Sequence, residues 1–228
     1  ESQKLTYAQI TALAAVARER GVSIASHDDD SEDKLAFMDG LEATISEFPI
    51  SLDIARAARA RGMHTIAGAP NVMLGHSHSG NLSAREAVQA GAIDVLCSDY
   101  YPAALLDAVF TLRDQCGLDI AKAFALVTIN PAKAAGIADE VGSIAVGKRA
   151  DVLLVREISC GEGEGSGEHP GARPDGRVAR TMPVVTRAFV GGRSVFRSHY
   201  PDQPLGYGRD TEQLVSLDQL TRPLAKAV

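Results

Sequence analysis

Apolar and polar positions alternate between a helical and a strand period over the first 130 residues. Ile10, Leu13, Ala14 and Ala17 recur at helical intervals, Thr6 and Gln9 have capping-box spacing, and Gly21 stops the run. That pattern predicts a helix over 6–20. Val22-Ser23-Ile24-Ala25 then reads as a buried strand, and a short polar segment ends at Gly40. Ala43-Thr44-Ile45-Ser46 is the next strand, Ser51 caps a helix running to Arg61, and His64-Thr65-Ile66-Ala67 is the third strand. Ser83 and Glu86 form a second capping box before a helix that ends near Gly91. Ile93-Asp94-Val95-Leu96-Cys97 is the fourth strand, followed by a helix over 103–115. Past Asp119, Ile120, Phe124 and Val127 share one helix face, which breaks at Asn130-Pro131.

Short apolar strands alternating with helices imply an α/β fold with a parallel sheet. An open doubly wound sheet gives the same alternation. His27, Glu47, Asn71 and Asp99 at the strand ends favour a TIM-type (β/α)8 barrel, which carries its chemistry on the carboxyl ends of its strands. A complete barrel takes about 250 residues. Four strand–helix units are legible, so residues 1–139 read as the second, carboxyl-terminal half of one.

The pattern changes after 140. Val152 to Val155 is a β run, and residues 159–180 are rich in Gly, Glu and Arg, predicting a flexible loop. Gly191-Gly192-Arg193 between Val184–Val190 and Ser194-Val195-Phe196 is a hairpin signal. A small β domain, expected to be part of a β-sandwich, is placed over 140–198. The tail, 199–228, has one candidate helix at 211–221 and no readable role.

Composition narrows the partners. The 228 residues carry a net charge of −6, from 23 Lys and Arg against 29 Asp and Glu, with no basic cluster. That balance argues against nucleic acid. No apolar run reaches 18 residues and the start lacks a basic-then-apolar leader, so a cytoplasmic protein without membrane contact is expected. Cys97, Cys116 and Cys160 have no paired spacing, which suits a reducing compartment and argues against a thiol-held zinc. Self-association into a homo-oligomer is open.

Candidate chemistry concentrates at the strand ends. His27, followed by Asp28, Asp29 and Asp30, ends an apolar run; imidazole suits Zn, Mn or Fe, and neighbouring carboxylates orient such a ring. The competing reading is a polar turn opening a helix, where Asp residues favour the N-terminus. Asp99 follows Ile93–Ser98, where a carboxylate can bind metal and act as general base; alternatively it caps the helix near Pro102. Gly75-His76-Ser77-His78-Ser79-Gly80-Asn81 is a Gly-bounded loop ahead of a capped helix, suited to an oxyanion. Its glycines favour substrate binding over metal for His76 and His78, with a plain polar loop as the bland alternative. Glu47 and Asn71 end strands ahead of or just behind prolines and either face the barrel mouth or satisfy a loop backbone, while Tyr100 and Tyr101 either offer hydroxyls to a substrate or pack against the rim. His64 begins a strand at the opposite end and reads as structural, while His169 and His199 fall in loops.

Taken together, Ala25-Ser26-His27-Asp28-Asp29, Glu47-Phe48-Pro49, Gly68-Ala69-Pro70-Asn71, Ser77-His78-Ser79-Gly80-Asn81 and Ser98-Asp99-Tyr100-Tyr101-Pro102 resemble the amidohydrolase superfamily. Within it they are similar to the diphosphatases of phosphonate metabolism, as are Leu105-Leu106-Asp107-Ala108, Asn130-Pro131-Ala132 and Gly147-Lys148-Arg149-Ala150-Asp151. The resemblance spans about residues 5–197. It implies a metal-dependent (β/α)8 barrel with a β-sandwich, hydrolysing ribose 1-methylphosphonate 5-triphosphate to the 5-phosphate and pyrophosphate. By the same resemblance His27 is the sixth-strand metal ligand and Asp99 the eighth-strand ligand and base. Asp28, Asp29 and Glu47 then support the ligands, and His76, Ser77, His78, Ser79, Asn81, Asn71, Tyr100 and Tyr101 hold the phosphorylated sugar phosphonate.

The family's first-strand His-x-His, its bridging carboxylate or modified lysine and its fifth-strand His have no counterpart here. A binuclear divalent-metal site would therefore draw its remaining ligands from outside this chain. The chain is expected to be the carboxyl-terminal part of a longer enzyme, neither folding stably nor holding two metals unaided. The alternatives are a dihydroorotase-like hydrolase of a cyclic amide and a non-catalytic barrel subunit.

Overall fold

The computed structural model describes residues 6–75, 82–164 and 177–199. Its first sheet has four parallel strands in chain order: β1 (Ala25–His27), β2 (Ile45–Glu47), β3 (His64–Gly68) and β4 (Val95–Cys97). The register aligns Ser26, Ser46 and Thr65 across the first three strands, and His27, Glu47 and Ile66 in the next row. Because side chains alternate between faces, these rows face opposite ways. Ser26, Ser46 and Thr65 are buried, whereas His27 is exposed and Glu47 half-buried. Consecutive order with intervening helices is the arrangement of a partial barrel.

Helices pack on the buried face. α1 (Tyr7–Glu19) is closed by the Thr6–Gln9 capping box. α2 (Glu32–Gly40) starts at Ser31, whose hydroxyl accepts from the Lys34 N–H, and buries Leu35 completely. α3 (Leu52–Ala60) is capped by Ser51 and buries Ala55 and Ala58. α4 (Ala69–Leu74), α5 (Ala84–Gln89) and α6 (Ala104–Cys116) follow. Val72, Ala87, Ala108 and Leu112 from these helices meet Ala67 and Leu96 of the sheet in the main core. Small alanines dominate that core, which lets the helices lie close on short strands.

Several elements differ from expectation. The segment ending at Gly40 contains α2, hidden because Leu35 is its only buried residue. Gly68-Ala69-Pro70-Asn71 opens α4 directly, with proline in the first turn, where its missing N–H costs no helical bond. Asn130-Pro131 likewise starts a helix: α7 (Ile120–Ala125) ends first, and α8 (Ile129–Ala134) holds both residues near its start. The strands are displaced toward their carboxyl ends, β1 beginning at Ala25 rather than Val22, because pairing starts only where β2 runs alongside.

The second sheet is antiparallel: β5 (Val152–Glu164), β6 (Arg177–Val190) and β7 (Arg193–Arg197), in that order. Much of the loop expected at 159–180 is strand, since β5 and β6 stay paired out to Glu164 opposite Arg177. Glycine and glutamate alternating at 161–164 supply a backbone that pairs despite a composition typical of loops. Gly191 and Gly192 form the hairpin, both with positive φ (+55° and +77°), as a type I′ turn requires. The described residues make this one sheet. Arg113 of α6 joins it to the barrel half by a two-pronged pair with Glu157, both N–O distances being 2.7 Å. The candidate helix at 211–221 lies outside the described residues, as does His169.

Candidate active site

Three of the four parallel strands leave the sheet through a left-handed residue. Asp28 (φ +53°) and Phe48 (φ +55°) directly follow β1 and β2, and Asp99 (φ +50°) comes two residues after β4. Such a residue turns the chain sharply, so the side chains at the strand ends are presented at the rim rather than carried along the sheet. Aspartate tolerates this conformation better than most residues, which suits Asp28 and Asp99; Phe48 does not, and is held by its surroundings.

His27 ends β1 with Nδ1 3.0 Å from Asp28 Oδ2 and its ring edge-on to Phe48, centroids 5.2 Å apart. The Asp28 carboxylate thus stands at ion-pair distance from Nδ1, on the side of the ring where carboxylates orient metal-binding histidines. Below it, Asp29 is fully buried. Its carboxylate accepts hydrogen bonds from the Ser26 and Ser46 hydroxyls, tying β1 to β2.

Asp99 lies across the rim. The helix after it starts at Ala104 and has no side-chain cap, so Asp99 does not serve as its N-cap. Its carboxylate rests against the backbone of Gly68 instead. Cys97 stands at the end of β4, half-exposed. Burial pushes its thiol pKa up, and the Glu47 and Asp99 carboxylates push the same way.

A cavity of about 200 Å³ opens here, with Asp28, Asn71, Asp99 and Tyr100 as its main polar walls and Phe48, Pro49, Ile66 and Leu82 among its apolar ones. Of the residues expected from sequence, the structure brings these four polar groups together. His27 adjoins the cavity through Asp28 without lining it, Asp29 is buried beneath, and Glu47 sits beside His27 in register. Tyr101 is exposed at the surface. His76, Ser77, His78, Ser79 and Asn81 lie outside the described residues.

Asn71 lines the cavity and also secures backbone: its Nδ2 donates to the Leu82 carbonyl and its Oδ1 accepts from the Ala84 N–H, both at 2.9 Å. His64 is structural in geometry, at the opposite end of the sheet with Nδ1 2.8 Å from Asp94. Lys34 carried no signal in the sequence, yet it reaches the carbonyls of His27 and Asp28.

The strand count also moves one residue. If Asp99 stands on an eighth barrel strand, the four consecutive strands put His27 on the fifth and Glu47 on the sixth, so the sixth-strand position expected for His27 is displaced by one. Among the described residues no three His, Cys, Asp or Glu side chains converge as a metal cage. The donor chemistry of His27 and Asp99 fits a divalent metal; the ligand count is incomplete within the described residues.

A parallel-stranded partial barrel with histidine and carboxylate at its strand ends defines a metal-hydrolase type of scaffold, and residues 1–195 match the amidohydrolase family: the chain belongs to that family. Over 144 residues it is 45% identical to alpha-D-ribose 1-methylphosphonate 5-triphosphate diphosphatase of Escherichia coli (strain K12), a match covering 62% of this chain and 38% of that protein. The chain therefore corresponds to well under half the length of that relative. Among solved structures, D-hydantoinase from a Thermus species superimposes with a TM-score of 0.60 at 17% identity, over 85% of this chain and 61% of the other. An adenosine deaminase from Xanthomonas campestris with bound zinc gives 0.54 at 16% identity, over 85% of this chain and 50% of the other. These structures share the barrel fold, and members of the superfamily use divalent metals.

Proposed function

We propose that this chain belongs to a metal-dependent diphosphatase acting on ribose 1-methylphosphonate 5-triphosphate in phosphonate breakdown. The observation that carries the reading is the 45% identity over 144 residues to the Escherichia coli diphosphatase.

In this reading His27 and Asp99 hold one or both of a pair of divalent ions, zinc, manganese or iron, and further ligands come from outside the described residues. Such a metal supplies Lewis acidity toward a phosphoryl oxygen and lowers the pKa of water. Asp99 takes the proton from the attacking water as the new P–O bond forms. The anhydride bond beyond the first phosphorus breaks, and pyrophosphate leaves with the bonding electrons. Asp28 keeps the His27 ring oriented, and Tyr100 contacts the sugar at the cavity mouth. The loop bearing His76, Ser77, His78, Ser79 and Asn81 binds phosphate or phosphonate oxygens. The antiparallel sheet is one layer of a β-sandwich, and the protein works in the cytoplasm; among the described residues no helix is long and apolar enough to cross a membrane.

The test is pyrophosphate release from ribose 1-methylphosphonate 5-triphosphate by the metal-loaded native protein and by Asp99→Asn. Release that Asp99→Asn abolishes is expected. Turnover of dihydroorotate with no pyrophosphate release would move the chain to cyclic-amide hydrolysis, and absence of bound metal beside any partner chain would mark a non-catalytic subunit.

A further inference from the structure

The turn that follows β1 is held by a lysine that no catalytic reading uses. Lys34 lies in the first turns of α2, and its ammonium donates to the His27 carbonyl at 2.6 Å and to the Asp28 carbonyl at 2.8 Å. Its remaining face is 3.7 Å from Oδ1 of the fully buried Asp29. Successive carbonyls along an extended strand point to opposite sides, so one cation cannot ordinarily take both. Here it can, because Asp28 is left-handed and swings its carbonyl round toward that of His27.

The ammonium thus selects this turn over an extended continuation of β1. The turn in turn sets the angle between the His27 ring and the Asp28 carboxylate, 3.0 Å from its Nδ1. Asp28 N–H is anchored separately, to the Glu47 carbonyl at 2.9 Å, so the backbone is pinned from both sides. Asp29 supplies the seat: its carboxylate is fastened by Ser26 and Ser46 and offers the lysine a fixed negative partner. No other left-handed strand end among the described residues has a lysine in this position.

The geometry points to Lys34, seated on Asp29, as the positioning residue for His27: it imposes the turn that aims the imidazole at the metal. This rests on the assignment of His27 as a ligand, and the experiment separates the two. Zinc affinity of the native protein is measured by chelator competition for Lys34→Met, Lys34→Arg and His27→Ala, with thermal melting beside each. Outer residues that orient a ligand typically change metal affinity about 10–100-fold when lost. Lys34→Met is expected to weaken zinc about tenfold. Lys34→Arg, whose fork also spans two acceptors, is expected to recover most of that loss, and the Co2+-substituted protein should show an altered d–d spectrum only in Lys34→Met.

Unchanged zinc affinity in His27→Ala would remove the ligand assignment itself. Weakened zinc in His27→Ala with none in Lys34→Met would overturn the positioning role alone. Equal melting losses in Lys34→Met and Lys34→Arg, with zinc affinity following melting, would reduce Lys34 to a counter-charge for Asp29 and overturn it too.

Discussion

Asp99 Oδ2 lies 2.9 Å from the place where a Cβ on Gly68 would stand. Gly68 itself has φ −77° and ψ 134°, a conformation open to any residue. Its lack of a side chain is therefore required by Asp99 and by nothing in its own backbone. Gly68→Ala should displace the carboxylate, lowering metal affinity and activity at least tenfold with little change in melting temperature. In a double-mutant cycle, Gly68→Ala should have no further effect on activity once Asp99 is Asn; additive losses would place the effect elsewhere.

Asp28 and His27 offer a second separation of chemistry from stability. Asparagine tolerates the left-handed backbone as aspartate does, so Asp28→Asn should shift folding stability by no more than about 0.5 kcal/mol. Losing the charge opposite Nδ1 should still weaken zinc about 10–100-fold. Chelator competition and urea unfolding on one preparation measure both.

The buried Asp29 carboxylate depends on two hydroxyls. Ser46→Ala removes one donor and leaves part of a buried charge unsatisfied, which should cost about 1–3 kcal/mol in urea unfolding. A change below about 0.5 kcal/mol would mean that water replaces the hydroxyl.

The Arg113–Glu157 pair gives an acid dependence with a definite sign. The Arg113 guanidinium, bonded through both oxygens, holds the Glu157 carboxyl below its usual 4.5 despite partial burial. A carboxylate depressed in the folded state stabilises the fold above its unfolded pKa and loses that contribution as pH falls through the folded value. The difference in stability between the parent and Glu157→Gln should be full at pH 6–7, shrink below about pH 4.5, and be modest in size, about 1 kcal/mol or less, for so accessible a pair.

Cysteine reactivity probes the rim. Cys160 is exposed, whereas burial and the neighbouring Glu47 and Asp99 raise the Cys97 pKa. The thiolate is the reactive form, so at pH 8 Cys97 should alkylate at least several-fold more slowly than Cys160. Mass spectrometry of a timed iodoacetamide reaction gives the ratio.

The parallel strands, their helices and the strand-end acids were readable because each strand is short, apolar and followed by a polar break. His27 and Asp99 stood out for that reason, and Ser51, Ser83 and the Thr6–Gln9 box marked their helices directly. α2 is not readable, since one buried leucine leaves no periodic stripe; Pro70 marks the end of β3 but hides the start of α4, and Pro131 reads as a helix end where a helix begins. The partners of Lys34 and Asn71 are hidden for a deeper reason. Both side chains act on main-chain atoms of a neighbouring segment, and a sequence carries no record of which main-chain group a side chain will meet. Gly68 carries no signal of its own in the sequence; its reason lies 31 positions away, in Asp99.

The amide of Asn71 bonds the chain on the far side of residues 76–81, at Leu82 and Ala84, while Arg85 Nε donates to the carbonyl of Val72 at 2.6 Å from the other direction. These bonds fasten α4 to α5 whatever the intervening peptide does. The cavity wall that Asn71 and Leu82 contribute thus rests on bonds that α4 and α5 make to each other directly.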